Sequence, residues 1–229
     1  MKKTFILLLI GISAFSQNQT DKDFYFSANV NPSSNKTVYS ISQQYDNKII
    51  IGLTSLTLSD ANQYLKRLNI DGTTDNSFSP PSMIVRTDKI VIQNDNKILI
   101  STSGSGTGSV GRNFARLNTD GSLDQQFQNN LSYITGNIGG VGISIQADNK
   151  ILAPCYCTSV ENINIKGLLR LNSDGLRDTN FNLQGNGYAP FAPAKTLQLQ
   201  NGKILTLGRF SSYNNISYNP LGVIKLFDF

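Results

Sequence analysis

The motif Gln93-Asn94-Asp95-Asn96-Lys97-Ile98 recurs three more times along the chain. The other copies are residues 44–49, residues 146–151 and, in a weaker form, residues 199–204. Their lysines lie 49, 53 and 53 residues apart, at Lys48, Lys97, Lys150 and Lys203. In each copy a tight-turn signal, Asp-Asn or Asn-Gly, separates two short apolar runs. Each copy therefore predicts a β-hairpin, and the period predicts a protein built of repeats.

Two further segments follow each hairpin in a fixed order. The first, Arg-Leu-Asn-x-Asp-Gly, begins at Arg67, Arg116 and Arg170, and residues 224–227 hold the fourth place. It predicts a third strand that ends in a tight turn. The second, Asp-x-x-Phe, occupies residues 75–78, 124–127 and 178–181, and also residues 21–24. We expect its phenylalanine to insert between neighbouring repeats, and the apolar run after each lysine to be a strand buried on both faces.

These elements predict an all-β fold, a β-propeller-like array of four antiparallel repeats of about 50 residues. The repeats are expected over residues 25–78, 79–127, 128–181 and 182–229, with residues 17–24 completing the last one. Three strands per repeat are clear, and a fourth is left open in the stretch after each phenylalanine. No window shows the 3.6-residue period of an amphipathic helix. A stacked β-solenoid is the main competitor, although its repeats are usually shorter.

The number of motifs favours an array that closes on itself. The anchor at residues 21–24 has no third strand before it, and the strand near Lys225 has no anchor after it. The N-terminal piece would then complete the last repeat in a closed four-bladed ring, which hides the edges of the sheets. An open arc, a dimer that completes a larger ring and a truncated gene product are the alternatives.

The three segments in this order resemble the delta-60 repeat, a β-propeller-like repeat of exported bacterial proteins. The resemblance spans nearly all of residues 17–229, and Gly208-Arg209-Phe210 is similar to the Gly-x-Phe ending of that family's second strand. Repeats one to three lack this ending, and the chain holds few repeats where relatives often hold more. The resemblance implies a β-propeller-like fold and a non-catalytic exported protein.

The first 16 residues have the pattern of a secretory signal peptide. Lys2 and Lys3 precede an apolar run over residues 5–12, and Ala14 and Ser16 place small residues at a cleavage site before Gln17. The apolar run is far shorter than the ~20 residues of a membrane span. We therefore expect an exported domain over residues 17–229 without a membrane span after cleavage. Its location would be the periplasm, the cell surface or the outside of the cell.

The two cysteines, Cys155 and Cys157, are two residues apart on a predicted strand, so their side chains share one face. On a regular strand their Cα atoms would be about 6.5–7 Å apart, at the limit for an unstrained disulfide. We interpret them as two semi-buried thiols, and a strained, redox-active pair is the alternative. A metal site is disfavoured because the chain has no His to complete one.

The polar residues give no support for a catalytic, cofactor, metal or nucleic-acid site. The net charge of +5 comes from scattered residues, without the basic cluster that nucleic acid requires. The lack of His excludes Ser-His and Cys-His nucleophiles. Residues 69–75 resemble part of a calcium loop, but Arg67 and Phe78 fall at its first and last ligand positions, which favours Asx turns. The glycine-rich residues 104–111 lack the Gly-Lys-Ser/Thr ending of a phosphate-binding loop.

The loops between second and third strands remain as a candidate binding surface, at residues 55–63, 102–112, 157–166 and 210–220. The last loop carries aromatic and amide side chains suited to sugar or protein, and the candidate ligand-binding residues are Phe210, Tyr213, Asn214, Asn215, Tyr218 and Asn219. The sequence therefore predicts an exported, non-catalytic binding or structural scaffold for an unknown protein or carbohydrate. The sequence leaves open whether the chain forms homo-oligomers. An enzyme of the lyase or glycosidase type, with its site at the propeller centre, is the alternative.

Overall fold

The structure is a computed structural model, and it describes residues 36–55, 64–82, 84, 86–101, 113–138, 142–161, 167–181, 188–189, 192–213, 215–217 and 223–227. Strands dominate this part of the chain, and its one helix is six residues long. The prediction of an all-β fold is therefore confirmed. No helix of this part is long and apolar enough to cross a membrane. The predicted signal peptide, the anchor at residues 21–24 and most of the predicted loop surface lie outside the described residues.

Repeats one and two are each a three-stranded antiparallel sheet with the second strand in the middle. Their strands are β1 (Lys36–Gln43), β2 (Ile49–Ser55), β3 (Leu65–Leu68), β4 (Lys89–Ile92), β5 (Ile98–Ser101) and β6 (Phe114–Leu117). The helix α1 (Gln125–Asn130) follows, and the Asp124 carboxylate caps it by accepting a hydrogen bond from Phe127 N at 3.1 Å. Fewer than two turns leave no helical period to detect, so the sequence pattern does not predict this helix.

Repeat three has four strands. β7 (Ile134–Ile138) and β8 (Ser144–Ile145) both pair with β9 (Ile151–Val160), which also pairs with β10 (Gly167–Leu171). The remaining strands are β11 (Tyr188–Ala189), β12 (Lys195–Gln198), β13 (Ile204–Gly208), β14 (Ser212–Tyr213), β15 (Ile216–Ser217) and β16 (Val223–Phe227). Repeat four consists of β12, β13 and β16, and the others form a separate small sheet. The expected three strands are present in each repeat, with an extra strand in repeat three.

The predicted turns share one local geometry. In the hairpin turn of repeat two, Asp95 Oδ1 accepts a hydrogen bond from Lys97 N at 3.1 Å, and Asn96 has a φ of 63°, which Asn tolerates better than most residues. In the Asp-Gly turn of the same repeat, Asp120 Oδ1 accepts from Ser122 N at 2.9 Å. The hairpin turns and the Asx turns are therefore confirmed.

The central strand of repeat two, β5, separates two interfaces. In β5 the neighbours Ile98 and Leu99 are both fully buried although their side chains point to opposite sides. We call the side that holds Leu99 the forward face, because it packs against the following repeat, and the side that holds Ile98 the back face. Phe78 of repeat one packs in the same core cluster as Ile98. The expected insertion of the phenylalanine between repeats is confirmed.

Hydrogen bonds also join the first strands of successive repeats. Ser40 Oγ accepts from Ile90 N at 3.0 Å between repeats one and two, and the hydroxyls of Ser144 and Thr196 lie 2.7 Å apart between repeats three and four. The described strands form five separate sheets, and they do not show a closed ring. Residues 17–24, which the predicted four-bladed closure needs, lie outside the described residues, so ring closure stays a prediction.

The structure places Cys155 and Cys157 as a linked pair, which favours the alternative of a redox-active pair over two separate thiols. Their Cα atoms are 5.1 Å apart, closer than on a regular strand. The pairing of β9 with β7 is regular at these two residues, and a register shift follows after Cys157. Both cysteines are buried in the core between repeats two and three, whereas Tyr156 between them is exposed.

We expect alkylation of the denatured but unreduced protein to leave both cysteines unmodified, as measured by mass spectrometry. The bond spans a sequence separation of only 2. In the chain-entropy model so short a loop contributes about 1.5 kcal/mol, and reduction should lower the melting temperature by about 3–6 °C. Two alkylated cysteines without reductant would show that the thiols are free.

Candidate functional site

The charged residues of the repeat motifs meet in a buried cluster. In repeat two, Asp124 Oδ2 accepts hydrogen bonds from Arg116 Nε at 2.9 Å and from Lys97 Nζ at 2.7 Å. The Arg116 guanidinium also donates to Gln93 Oε1 at 3.3 Å and lies over the Phe127 ring, 4.2 Å from its centroid. We call these five residues the ion cluster of repeat two.

Repeats one and three contain ion clusters of the same plan. In repeat one, Asp75 Oδ2 accepts from Arg67 Nε at 2.7 Å and from Lys48 Nζ at 2.5 Å. In repeat three, Asp178 Oδ2 accepts from Arg170 Nε at 2.8 Å. The guanidinium carbon lies 4.7 Å and 4.4 Å from the centroid of the phenylalanine ring in these two clusters. One set of interactions thus accounts for the recurring Lys, Arg, Asp and Phe.

The ion clusters also bind each repeat to the next one. The guanidinium of Arg67 donates to Thr119 O and that of Arg116 donates to Ser173 O, and both acceptors belong to Asp-Gly turns of the following repeat. In the second of these turns, a Cβ added to Gly175 would lie 2.9 Å from the Phe127 ring. The turn glycine is therefore in direct contact with the ring of the preceding cluster, so cluster and turn form one inter-repeat contact.

Repeat four departs from this plan. In the pairing of β13 with β16, Leu226 lies opposite Leu205, which is the place that Arg116 takes opposite Leu99 in repeat two. An arginine is therefore missing at this position of the fourth repeat. In repeat three the buried Gln146 Oε1 has no hydrogen-bond partner among the described residues, unlike its counterpart in repeat two. Among the described residues, the full set of contacts is present in the first two repeats.

The carboxylates of the ion clusters are held in the ionised form. Burial alone would raise the pKa of the Asp124 carboxyl, but hydrogen bonds from Lys97 and the Phe127 amide and the charge of Arg116 lower the pKa below its usual value. The pKa of Asp75 and the pKa of Asp178 are lowered by the same kind of balance. A general acid or base at neutral pH needs a pKa near the working pH, and these groups are shifted away from it.

We expect stability to be constant near neutral pH and to fall in acid. A carboxyl with a lower pKa in the folded state stabilises the fold above its unfolded pKa, near 3.9, and this contribution is lost as the pH falls toward the folded pKa. The midpoint of urea unfolding should stay level between pH 7 and about pH 5 and fall below about pH 4. Asp124→Asn should make the fall shallower. A midpoint unchanged at pH 3 would contradict this account.

The first strands of repeats one to three surround an open cavity of about 460 Å³. Its lining consists of Ile41, Ser42, Gln43, Tyr45 and residues 89–92 and 143–145. Lys89 and Tyr45 are the ionisable residues of this described lining, which includes neither Asp nor Glu. The Tyr45 hydroxyl donates to Asn94 Oδ1 at 3.1 Å. The described lining thus offers one amine and one phenol, and no pair of carboxylates.

The predicted ligand-binding loop is only partly placed. Phe210 is fully buried and Tyr213 is 8% exposed, and both pack in the core between repeats three and four. These two rings are packing residues, so the expectation that they form an exposed platform is corrected. Asn215 is exposed and has a φ of 65°. The other candidates, Asn214, Tyr218 and Asn219, lie outside the described residues.

The sequence motifs place the residues of the ion clusters in turns and strands. They do not predict that the arginine and the aspartate of each repeat come into contact. A usable signal was present in the spacing. Each arginine precedes its aspartate by eight residues, as in the hydrogen bonds of Arg67 with Asp75 and of Arg116 with Asp124. Opposite charges that recur at a fixed interval across a turn indicate a contact, because an unpaired charge would be costly to bury.

Comparison with known proteins supports the fold class. Residues 93–127 and 146–181 match the model of a β-propeller domain of unknown function, DUF5122. These two stretches contain the hairpin turn, the second and third strands and the Asp-x-x-Phe of repeats two and three. No curated protein matches the chain. The chain is therefore similar to a β-propeller family whose function is unknown.

Solved structures to which the chain is similar include three bacterial proteins. A protein of unknown function from Bacteroides caccae has 12% identity, with 75% of this chain and 56% of that chain covered and a TM-score of 0.40. The extracellular domain of a one component system from B. thetaiotaomicron has 12% identity, coverage of 88% and 25%, and a TM-score of 0.48. Virginiamycin B lyase from Staphylococcus aureus has 14% identity, coverage of 86% and 57%, and a TM-score of 0.46. The chain spans less than two thirds of each of these proteins.

Proposed function

We propose that this chain is an exported, non-catalytic, β-propeller-like scaffold that presents the loops between its second and third strands to a protein or carbohydrate. The observation that carries the proposal is the use of the charged residues. One motif arginine and one motif aspartate pair in each of the first three repeats, with little exposure to solvent: Arg67 with Asp75, Arg116 with Asp124 and Arg170 with Asp178. A frame held in this way tolerates variation in its loops, which is where binding usually resides.

An enzyme of the lyase or glycosidase type is the second candidate, and the open cavity between the first strands of repeats one to three is the observation that favours it. Lys89 and Tyr45 line this cavity, and a cavity with a few polar groups is the usual place for a ligand. A glycosidase needs two carboxyl groups about 5–10 Å apart, and the described lining has none. The lack of carboxyl groups in the described lining favours the scaffold over a glycosidase. A lyase that uses Tyr45 or Lys89 as its base is then the remaining enzyme candidate.

The test compares binding and turnover on one protein preparation. The protein is incubated with neutral and uronic-acid polysaccharides, binding is measured by calorimetry, and cleavage is followed by new reducing ends and by the ultraviolet absorbance of unsaturated products. The proposal expects no product. Product formation that Lys89→Met or Tyr45→Phe abolishes would decide for the enzyme. Lys195→Met is the matched control, because Lys195 has in repeat four the place of Lys89 in repeat two.

Export is tested separately by sequencing the N-terminus of the protein recovered from outside the cytoplasm. The expected first residue is Gln17, because cleavage is predicted after Ser16. A chain that stays in the cytoplasm with Lys2 and Lys3 still attached would overturn this part of the proposal and leave the scaffold unaffected.

A further inference from the structure

Lys89 lines the open cavity between the first strands of repeats one to three. Its side chain is half-buried, and among the described residues its amine has no carboxylate or other acceptor as a partner. The motif lysines differ from it, because Lys48, Lys97 and Lys150 each pair with the aspartate of an ion cluster. Removing an amine from water is costly when no partner compensates it, so Lys89 favours an anion that enters the cavity.

The charges around Lys89 also favour a negatively charged ligand. The described lining of the cavity includes neither Asp nor Glu. The neighbouring carboxylate of Asp88 is 1% exposed and pairs with Arg86 at 2.5 Å, so it is already neutralised away from the lining. A cavity whose described charge is a single amine attracts anions, and a carboxylate binds an amine through strong charge-assisted hydrogen bonds.

Tyr45 and Lys89 stand at opposite ends of two neighbouring strands. Ser40 Oγ accepts a hydrogen bond from Ile90 N at 3.0 Å, next to Lys89. The Tyr45 hydroxyl donates to Asn94 Oδ1 at 3.1 Å, so β1 and β4 run side by side in the same direction. Five residues of extended chain separate Ser40 from Tyr45, which corresponds to about 16 Å. A ligand that reaches both Lys89 and Tyr45 is therefore a chain of several units.

Tyr45 offers an aromatic ring whose position is fixed in advance. The residue is 65% exposed, yet its backbone N donates to Asn96 Oδ1 at 3.0 Å and its hydroxyl donates to Asn94 Oδ1. A side chain that is already ordered lowers the entropy cost of binding. Ser42 and Gln43 add a hydroxyl and an amide to the same lining. An exposed ring beside such groups suits a sugar, which has both apolar ring faces and hydroxyls.

We propose that this cavity binds an acidic oligosaccharide, a chain of uronic acid units with a carboxylate on Lys89 and a sugar ring on Tyr45. Such a chain combines carboxylates, hydroxyls and apolar ring faces over the length that separates the two residues. The site belongs to the first strands and hairpin turns, and its residues are not part of the loops between second and third strands. It adds a second binding surface to the proposed scaffold and is independent of the loop surface.

Calorimetry with the tetramers of galacturonate, mannuronate and guluronate tests the proposal on the full exported protein. We expect one of them to bind, and its methyl ester, which is the same chain without charge, to bind about tenfold more weakly. Lys89→Met should weaken binding of the acid by about the same factor, and Lys89→Arg should retain most of it. Lys195→Met is the matched control, because Lys195 is an exposed lysine at the same place in repeat four. The circular dichroism spectra should be unchanged.

Tyr45→Ala should weaken binding about fivefold through the loss of the ring. Tyr156→Ala should leave binding unchanged, because Tyr156 is 60% exposed but does not line the cavity. If none of the three acidic tetramers binds, or if Lys89→Met and Lys195→Met cause equal losses, the proposed site is wrong. The ultraviolet absorbance of unsaturated products is followed in the same samples. Product formation would contradict the non-catalytic function alone, whereas absent binding would contradict this site alone.

Discussion

Replacement of Asp124 by alanine is expected to lower the free energy of unfolding by about 3–5 kcal/mol. The change removes the carboxylate that faces Arg116, whose side chain is only 8% exposed. The guanidinium then stays buried without its counter-charge, and a buried charge that loses its partner costs more than the pair itself contributes. Urea unfolding followed by circular dichroism measures the loss.

Asp120→Ala is the matched control, since Asp120 is an exposed carboxylate four residues earlier in the same repeat. It accepts a hydrogen bond from Ser122 N, so its loss should cost only about 1 kcal/mol. The double change of Arg116→Met with Asp124→Leu should recover much of the stability, because no charge is left buried. Equal losses for Asp124→Ala and Asp120→Ala would mean that the ion cluster does not hold the repeats together.

The part of the fold that repeats could be predicted from the sequence, because the same local signals occur several times. The hairpin turn around Asn96 and the Asx turn at Asp120 follow from residues that favour those backbone conformations. The short helix α1 and the disulfide of Cys155 with Cys157 could not be predicted. The helix is too short to show a period, and the Cα separation of 5.1 Å between the cysteines is shorter than the regular-strand spacing on which the prediction rests.

The candidate site shows a different limit of sequence reasoning. Phe210 and Tyr213 follow an apolar strand in a polar loop, which is the pattern of an exposed binding loop. They are buried because this loop forms β14 and pairs with β11, where Tyr213 lies opposite Tyr188. β11 lies in a stretch without a recurring motif, so no local sequence signal predicts its pairing with β14. Conversely, Asp124 and Arg116 occur in recurring motifs, and only the tertiary packing shows that they meet.

Gly175→Ala is expected to lower the free energy of unfolding by about 3 kcal/mol. Gly175 has a φ of 92°, which is strained for any residue with a Cβ, and the added atom would lie 2.9 Å from two atoms of the Phe127 ring. Phe127 is fully buried between repeats two and three, so it cannot move aside into solvent. The change therefore combines backbone strain with overpacking of an inter-repeat contact. Urea unfolding measures it on the same scale as the Asp124 series.

Gly202→Ala separates these two effects. Gly202 has a similar φ of 83°, but nothing lies within 4 Å of an added Cβ, so only the backbone strain of about 1–2 kcal/mol applies. A smaller side chain at position 127 should relieve the overpacking, so Gly175→Ala combined with Phe127→Leu should lose less stability than the sum of the two single changes. Strict additivity of the pair, or equal losses at Gly175 and Gly202, would show that the ring does not press on the turn. The contact between turn glycine and phenylalanine would then be absent in solution, and the neighbouring repeats would depend on the ion clusters and apolar faces alone.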